Sequence, residues 1–341
     1  MMKLKYIMLM LFITALFCGC GENEEKKPAV REIFAMDTVM SITAYGENCE
    51  AAADAAVDEI NRLDRLLSVG NEKSEVSEIN KNGRGVLSED CRILTEKALD
   101  IYHTAEGAYD MTVYPLMKLW GFIGDEPSLP DDKDIKDVCR LIGSDKLSYD
   151  GNTLTLGEGQ GIDFGGIAKG YASARIMDIF KKYDIDSGIV SLGGNVQCYG
   201  KKPDGSLWKC GITDPAKPGD SQSLLGIVQG QDIAVITSGG YERYFKDENG
   251  KTYHHIMDTK TGYPAESDLS SVTVVSGNGM LADGLSTACF VMGREKAIEY
   301  WKKYSSDFDL ILYTNDNRLY ITEGLRESFS SEYEYEIAER E

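Results

Sequence analysis

An α+β fold, with mixed and mostly antiparallel sheets and packed helices, is predicted by three features of this 341-residue chain. Apolar residues recur at helical spacing in some stretches and alternate in others, yet the two patterns never settle into a regular βαβ rhythm. Hairpin-type turn signals punctuate the alternating stretches and so join neighbouring strands antiparallel. No repeat of 20–50 residues and no internal linker divides the chain. With 42% hydrophobic and 27% charged residues it is globular rather than disordered, and long enough to bury a large core without staples.

The elements follow in order. β-Branched residues from Ile33 to Ala44 predict a strand, and Ala56, Ile60, Leu63 and Leu67 mark a helix over residues 50–67. Ser88-Glu-Asp opens a second helix that carries Leu94, Ala98, Ile101 and Ala105 on one face and ends at Gly107. Residues 131–142 read as a third. Asp150-Gly151 predicts a hairpin, residues 167–183 a helix, and residues 188–256 a run of strands with another turn at Glu248-Asn249-Gly250. Helical patterns at 280–291 and 295–304, then strands at 310–313 and 318–321, complete the series.

The amino terminus stands apart. Lys3 and Lys5 precede an apolar run from Tyr6 to Phe17, which is of signal-peptide rather than membrane-spanning length, and Phe17-Cys18-Gly19-Cys20 closes it like a bacterial lipobox. This predicts a signal peptide over 1–19, lipidation of Cys20, a tether over 20–30, one domain over 31–325 and an acidic tail over 326–341. The expected place is the extracytoplasmic face of the bacterial cell membrane, held by a lipid anchor. An ordinary cleaved signal and an uncleaved anchor are the alternatives.

A formal net charge of −20 disfavours nucleic acid as a partner. Beyond Cys18 and Cys20, cysteines stand at 49, 91, 139, 198, 210 and 289, with no CxxC spacing, which argues against zinc. Three disulfides or free buried thiols both fit this scatter.

Three clusters carry chemistry. Gly161-Ile-Asp-Phe-Gly-Gly-Ile-Ala-Lys-Gly170 places glycines at a strand-to-helix junction, where bare backbone can approach a phosphate, carbonyls can reach a metal, and Lys169 adds positive charge. Close packing alone also uses such glycines, and neither a P-loop nor a GxGxxG pattern is present. In Met280-Leu-Ala-Asp-Gly-Leu-Ser-Thr-Ala288, Asp283 and Thr287 are four apart, so a carboxylate and a hydroxyl project together from a helix as hard oxygen donors. The plain alternative is a solvent-facing Asp with a Thr bonded to its own helix. Asp283, however, interrupts an apolar helix, where an unpaired carboxylate is costly. Tyr253-His-His-Ile-Met-Asp-Thr-Lys-Thr-Gly262 holds two of the three histidines, and in a strand only one of them can face a site. That one can act as a base for a hydroxyl nucleophile, although a surface pair without function is the default.

Met36-Asp-Thr, Ala108-Tyr-Asp near Trp120-Gly-Phe, DFGGIAKG, Ser191-Leu-Gly-Gly-Asn195, Thr237-Ser-Gly-Gly-Tyr-Glu-Arg, HHIMDTKTG and LADGLSTA occur together in an order that resembles the ApbE family, the FAD:protein FMN transferases. The resemblance runs from about residue 33 to residue 322. It implies an ApbE-like, T-fold-like architecture and Mg²⁺-dependent transfer of FMN from FAD to a Thr or Ser hydroxyl of an acceptor protein, with release of AMP. The acceptors it implies are subunits of membrane-linked redox pumps or FMN-binding domains. It also implies FAD contacts at Met36, Ala108, Tyr109, Asp110, Asp163, Lys169 and Ile256. It further implies Gly166, by its carbonyl, with Asp283 and Thr287 as Mg²⁺ ligands and His255 as the general base. Val69-Gly70 departs from the family, which often carries an aromatic residue there to meet the flavin. Two rival readings stay open: a FAD pyrophosphatase giving FMN and AMP, and a flavin-binding lipoprotein without chemistry.

Overall fold

The computed structural model describes residues 27–124, 126–217, 220 and 222–340. Cys20, the signal peptide and most of the tether lie outside the described residues. No helix among the described residues is long and apolar enough to cross a membrane.

The described residues open on a hairpin, β1 (Ala29–Ala35) and β2 (Thr38–Tyr45), where a single strand was predicted. Met36 and Asp37 make the turn with φ of 47° and 61°, a left-handed pair that suits hairpin twist but carries no glycine to announce it. Helices α1 (Cys49–Leu67) and α2 (Glu75–Asn82) follow, then β3 (Arg84–Val86) and α3 (Glu89–Thr104). The Ser88 hydroxyl caps α3 by accepting from the Cys91 N–H at 3.3 Å. Next come α4 (Tyr114–Leu119), α5 (Asp132–Cys139), the hairpin β4 (Ser148–Tyr149) and β5 (Thr153–Thr155), and α6 (Ala168–Lys182).

The strand-rich part holds β6 (Ser187–Leu192), β7 (Asn195–Tyr199), β8 (Trp208–Thr213), β9 (Leu224–Gly230), β10 (Ala234–Gly239), β11 (Tyr244–Lys246), β12 (Thr252–His254), β13 (Met257–Asp258), β14 (Tyr263–Pro264) and β15 (Leu269–Ser276). Then α7 (Gly279–Met292), α8 (Arg294–Tyr304), β16 (Phe308–Thr314), β17 (Leu319–Thr322), β18 (Phe329–Ser330) and β19 (Tyr335–Ala338) finish the fold.

Nine strands form one sheet in the order β1-β2-β6-β7-β10-β15-β16-β17-β19, antiparallel except for the final β17–β19 pair. Period-2 alternation gives it two apolar faces. On β16, Phe308, Leu310 and Leu312 join the core beneath the helices, while Ile311 and Tyr313 face a second core under the three-stranded sheet β18-β9-β8. A third cluster around Trp120, Ile135 and Tyr253 ties α4 and α5 to the β11–β12 hairpin.

The acidic tail is corrected by the structure. Phe329–Ser330 pairs with β9, and Tyr335–Ala338 closes the edge of the nine-stranded sheet. Tyr333, Tyr335 and Ile337 pack against the second core, so the intervening glutamates masked an alternating strand.

Candidate active site

The helix starts and turns converge on one cavity of about 870 Å³, toward the upper end of the usual range for small-molecule sites. Met36, Ala108, Tyr109, Asp110, Asp163, Gly166, Lys169, His255, Ile256, Asp283 and Thr287 all line it. These residues span the whole domain, and helix packing brings them together.

The junction of α6 and α7 sets the polar end. A Cβ added at Gly170 would lie 2.2 Å from the Gly279 carbonyl oxygen and 2.5 Å from Asp283 Cβ, so only glycine lets the two helices approach this closely. That approach allows the Gly170 N–H to donate to Asp283 Oδ2 at 2.8 Å. Asp283 is 4% exposed, and this bond to the start of α6 fixes one oxygen while leaving the other for a cation. Thr287 stands one turn further along, and a Cβ on Gly166 would be 3.6 Å from its Oγ1. One carboxylate, one hydroxyl and one backbone segment thus meet as hard oxygen donors. No group of three or more His, Cys, Asp or Glu side chains arranged for a metal occurs among the described residues, so a cation here would also draw on water and substrate oxygens. The Tyr109 hydroxyl is buried beside this set without a hydrogen-bond partner, and Asp283, Asp163 and Asp110 add to the burial that holds its pKa well above the ordinary value.

His255 follows β12 and enters the cavity, whereas His254 turns away and packs edge-on against Phe290, with ring centroids 5.4 Å apart. The Arg243 carbonyl accepts from the His255 N–H at 3.0 Å and lies 3.2 Å from Nδ1. A carbonyl only accepts, so Nδ1 carries the proton and Nε2 presents its lone pair. Desolvation and the Arg243 guanidinium push the His255 pKa down to about 3, with Lys169 adding to the effect. The imidazole is therefore neutral at ordinary pH.

Other groups serve the cavity through its walls. The Asp110 carboxylate is buried and saturated by Thr112 and Ser144: Oδ1 accepts from the Thr112 N–H and from both hydroxyls, and Oδ2 from the Ser144 N–H. It therefore shapes the wall rather than offering a free charge. Asp163 accepts from the Gly165 N–H at 2.8 Å, and burial raises its carboxyl pKa. Met36 is anchored by its own N–H, which donates to Asp64 Oδ1 at 3.2 Å.

Sequence reasoning assigned no role to Glu242 and Arg243, although the motif containing them was visible. Glu242 also lines the cavity, where desolvation by its surroundings, with Asp283 adding and Lys169 opposing, raises its carboxyl pKa. Arg243 donates to the Phe122 carbonyl at 3.0 Å. At the Val69-Gly70 wall no aromatic residue is present, but Phe122, Met117 and Tyr241 line the same cavity and supply apolar surface.

The ApbE family pattern matches residues 36–312. The chain belongs to the ApbE family. A relative named FAD:protein FMN transferase from Klebsiella pneumoniae is 32% identical over 289 residues, covering 82% of this chain and 88% of its own. Another with the same name, from Treponema pallidum, is 28% identical over 339 residues and covers 92% of each chain. The crystal structure of the ApbE protein of Thermotoga maritima superposes with a TM-score of 0.82 at 30% identity, covering 88% of this chain and 98% of that one. The flavin transferase ApbE from Vibrio cholerae gives 0.79 at 25% identity, covering 89% and 99%. The mixed, largely antiparallel α+β architecture is thus that of the ApbE structures.

Proposed function

We propose that this chain transfers FMN from FAD to a Thr or Ser hydroxyl of an acceptor protein and releases AMP. The shared name of its relatives supports the reading. The observation that carries it is the convergence of a neutral base, a positive charge and a hard-oxygen donor set on one cavity: His255, Lys169, and Gly166 with Asp283 and Thr287.

His255 Nε2 takes the proton as the acceptor oxygen attacks the FMN phosphorus. A new P–O bond forms, the bond from that phosphorus to the bridging pyrophosphate oxygen breaks, and AMP leaves with that oxygen. Lys169 offsets the negative charge that builds on the leaving group, and Arg243 holds the imidazole in the productive tautomer through its carbonyl. Asp283, Thr287 and the Gly166 carbonyl would hold Mg²⁺, which when bound neutralises charge across the two phosphates. Met36, the 108–110 segment, Asp163 and Ile256 form the walls that hold FAD. Acceptors of the class that serves membrane-linked electron transfer fit an enzyme anchored through Cys20 on the extracytoplasmic face. The basic and apolar pattern of residues 3–20 supports that anchor.

Incubating the enzyme with FAD, Mg²⁺ and a flavin-acceptor domain tests the chemistry. Covalent FMN on the acceptor is expected, and its loss when the acceptor Thr or Ser becomes Ala. Free FMN unaffected by that change would mean hydrolysis, and unaltered FAD would mean storage. For the anchor, Cys20→Ala should leave the membrane fraction; its recovery there with a normally processed signal would refute lipidation.

A further inference from the structure

Two thiols away from the cavity face each other between the sheets. Cys198 lies on β7 of the nine-stranded sheet and Cys210 on β8 of the three-stranded one, and they are 1% and 3% exposed. Their Sγ atoms are 3.5 Å apart, against a bonded separation of about 2.05 Å. Forming the bond therefore requires the sulfurs to approach by about 1.5 Å. Around them Trp208, Val228, Val235 and Ile311 form an apolar core that offers the sulfurs no competing polar partner. The connecting segment is already folded back, with the Lys202 N–H donating to the Ser206 carbonyl at 3.0 Å and the Gly205 N–H to the Lys202 carbonyl at 2.8 Å. No other pair among Cys49, Cys91, Cys139 and Cys289 makes a sulfur–sulfur contact among the described residues.

We propose that Cys198 and Cys210 join as an intramolecular disulfide that staples β8 to β7 when the protein meets a disulfide-bearing oxidant. The exchange balances. One thiolate attacks the oxidant and expels its first sulfur as a thiol; the second thiolate then attacks the mixed disulfide and expels the other. Two protons and two electrons leave the cysteine pair, one S–S bond forms here, and one breaks in the oxidant. The hydrogen bond from Cys198 lowers the Cys210 pKa against the opposing effect of burial, which favours Cys210 as the first attacker. Both sulfurs are covered in the folded state, so the reaction belongs to folding or to local opening of the small sheet. Burial raises the thiol pKa values of Cys91, Cys139 and Cys289, and none of them has a second sulfur in contact among the described residues.

The test is a thiol map of the full chain, purified without reductant and exposed to oxidised glutathione. The protein is denatured in acid, alkylated with N-ethylmaleimide and cut with trypsin, which cleaves at Lys201 and Lys209 between the two cysteines. Cys49, Cys91, Cys139 and Cys289 should carry label. Cys198 and Cys210 should appear as one linked peptide pair, about 2 Da lighter than the two free peptides, which separates on reduction. Full labelling of both, or a link to any other cysteine, overturns the proposal. Reduction should also lower the wild-type Tm by roughly 3–5 °C and leave the Cys198→Ala/Cys210→Ala variant unmoved. An unmoved wild type, or an equal drop in the variant, refutes the staple.

Discussion

His255→Asn removes the lone pair at Nε2 while keeping a side chain that can still donate to the Arg243 carbonyl. General-base assistance is typically worth about 10²–10⁴ in rate, so transfer should fall by that order while FAD affinity changes little. The structure adds a sharper requirement through pH. A histidine at its ordinary value near 6.5 would be only about 3% neutral at pH 5, which would cost the wild type roughly 30-fold between pH 8 and pH 5. Burial and the Arg243 charge hold His255 at about 3, so it remains about 99% neutral at pH 5. A histidine at its ordinary value would give a rate that falls near pH 6.5, and desolvation moves that fall to strong acid. Transfer rates at saturating FAD, Mg²⁺ and acceptor from pH 5 to pH 8 should show no acid limb centred near 6.5. Such a limb in the wild type, absent from His255→Asn, would refute the desolvated base, and an active His255→Asn would refute the base itself. His254→Ala, whose ring packs on Phe290 outside the cavity, should keep nearly full activity.

Asp283→Ala should abolish Mg²⁺-dependent transfer but keep much of the FAD affinity, whereas Thr287→Ala should be milder because water can replace a neutral ligand; equal turnover of wild type and Asp283→Ala at limiting Mg²⁺ would contradict this. Gly170→Ala drives a methyl against the Gly279 carbonyl and Asp283, so thermal unfolding should show a loss of about 1–3 kcal/mol, with a weakened Mg²⁺ response as Asp283 shifts. Arg62 on α1 bonds Glu59 and Asp90, both mostly buried, and Arg62→Ala should cost about 1–3 kcal/mol in denaturant unfolding. The Arg62 hydrogen bond, opposed by burial and helped by Arg175, lowers Glu59; burial alone would raise Asp90, but bonds from Arg62 and Tyr171 outweigh it. Both carboxyls are thus lowered on folding, and their stabilisation is present above about pH 4 and lost as pH falls through the folded values, so the gap between variant and wild type should narrow in acid.

The long helices were legible because burial and periodicity coincide. On α1 the residues at 56, 60, 63 and 67 are all buried, together with Cys49, Ala52 and Ala53, and the Ser88 cap set the start of α3 within a residue. What escaped had weak local signals. Helix α2 buries only Val76 and Ile79, the hairpin turn at Met36-Asp37 uses left-handed backbone without glycine, and β19 hides its alternation among glutamates. Within the site, Asp283 and Thr287 were legible because four-residue helical spacing is local. The choice of His255 over His254 came from the family pattern, and the structure puts only His255 in the cavity. The role of Arg243 was not legible, because its carbonyl meets His255 only when the β11–β12 hairpin folds back. Nor could spacing choose among six cysteines, since Cys198 and Cys210 meet through the stacking of two sheets.

The central claim is that a protein hydroxyl, activated by His255, displaces AMP from FAD. It is tested most directly by counting AMP released against FMN bound to the acceptor in one reaction, by chromatography and intact mass. The account predicts one AMP for each covalent FMN, with both rates falling together by about 10²–10⁴ in His255→Asn. AMP released without matching acceptor mass, or equal rates in the two enzymes, would contradict it.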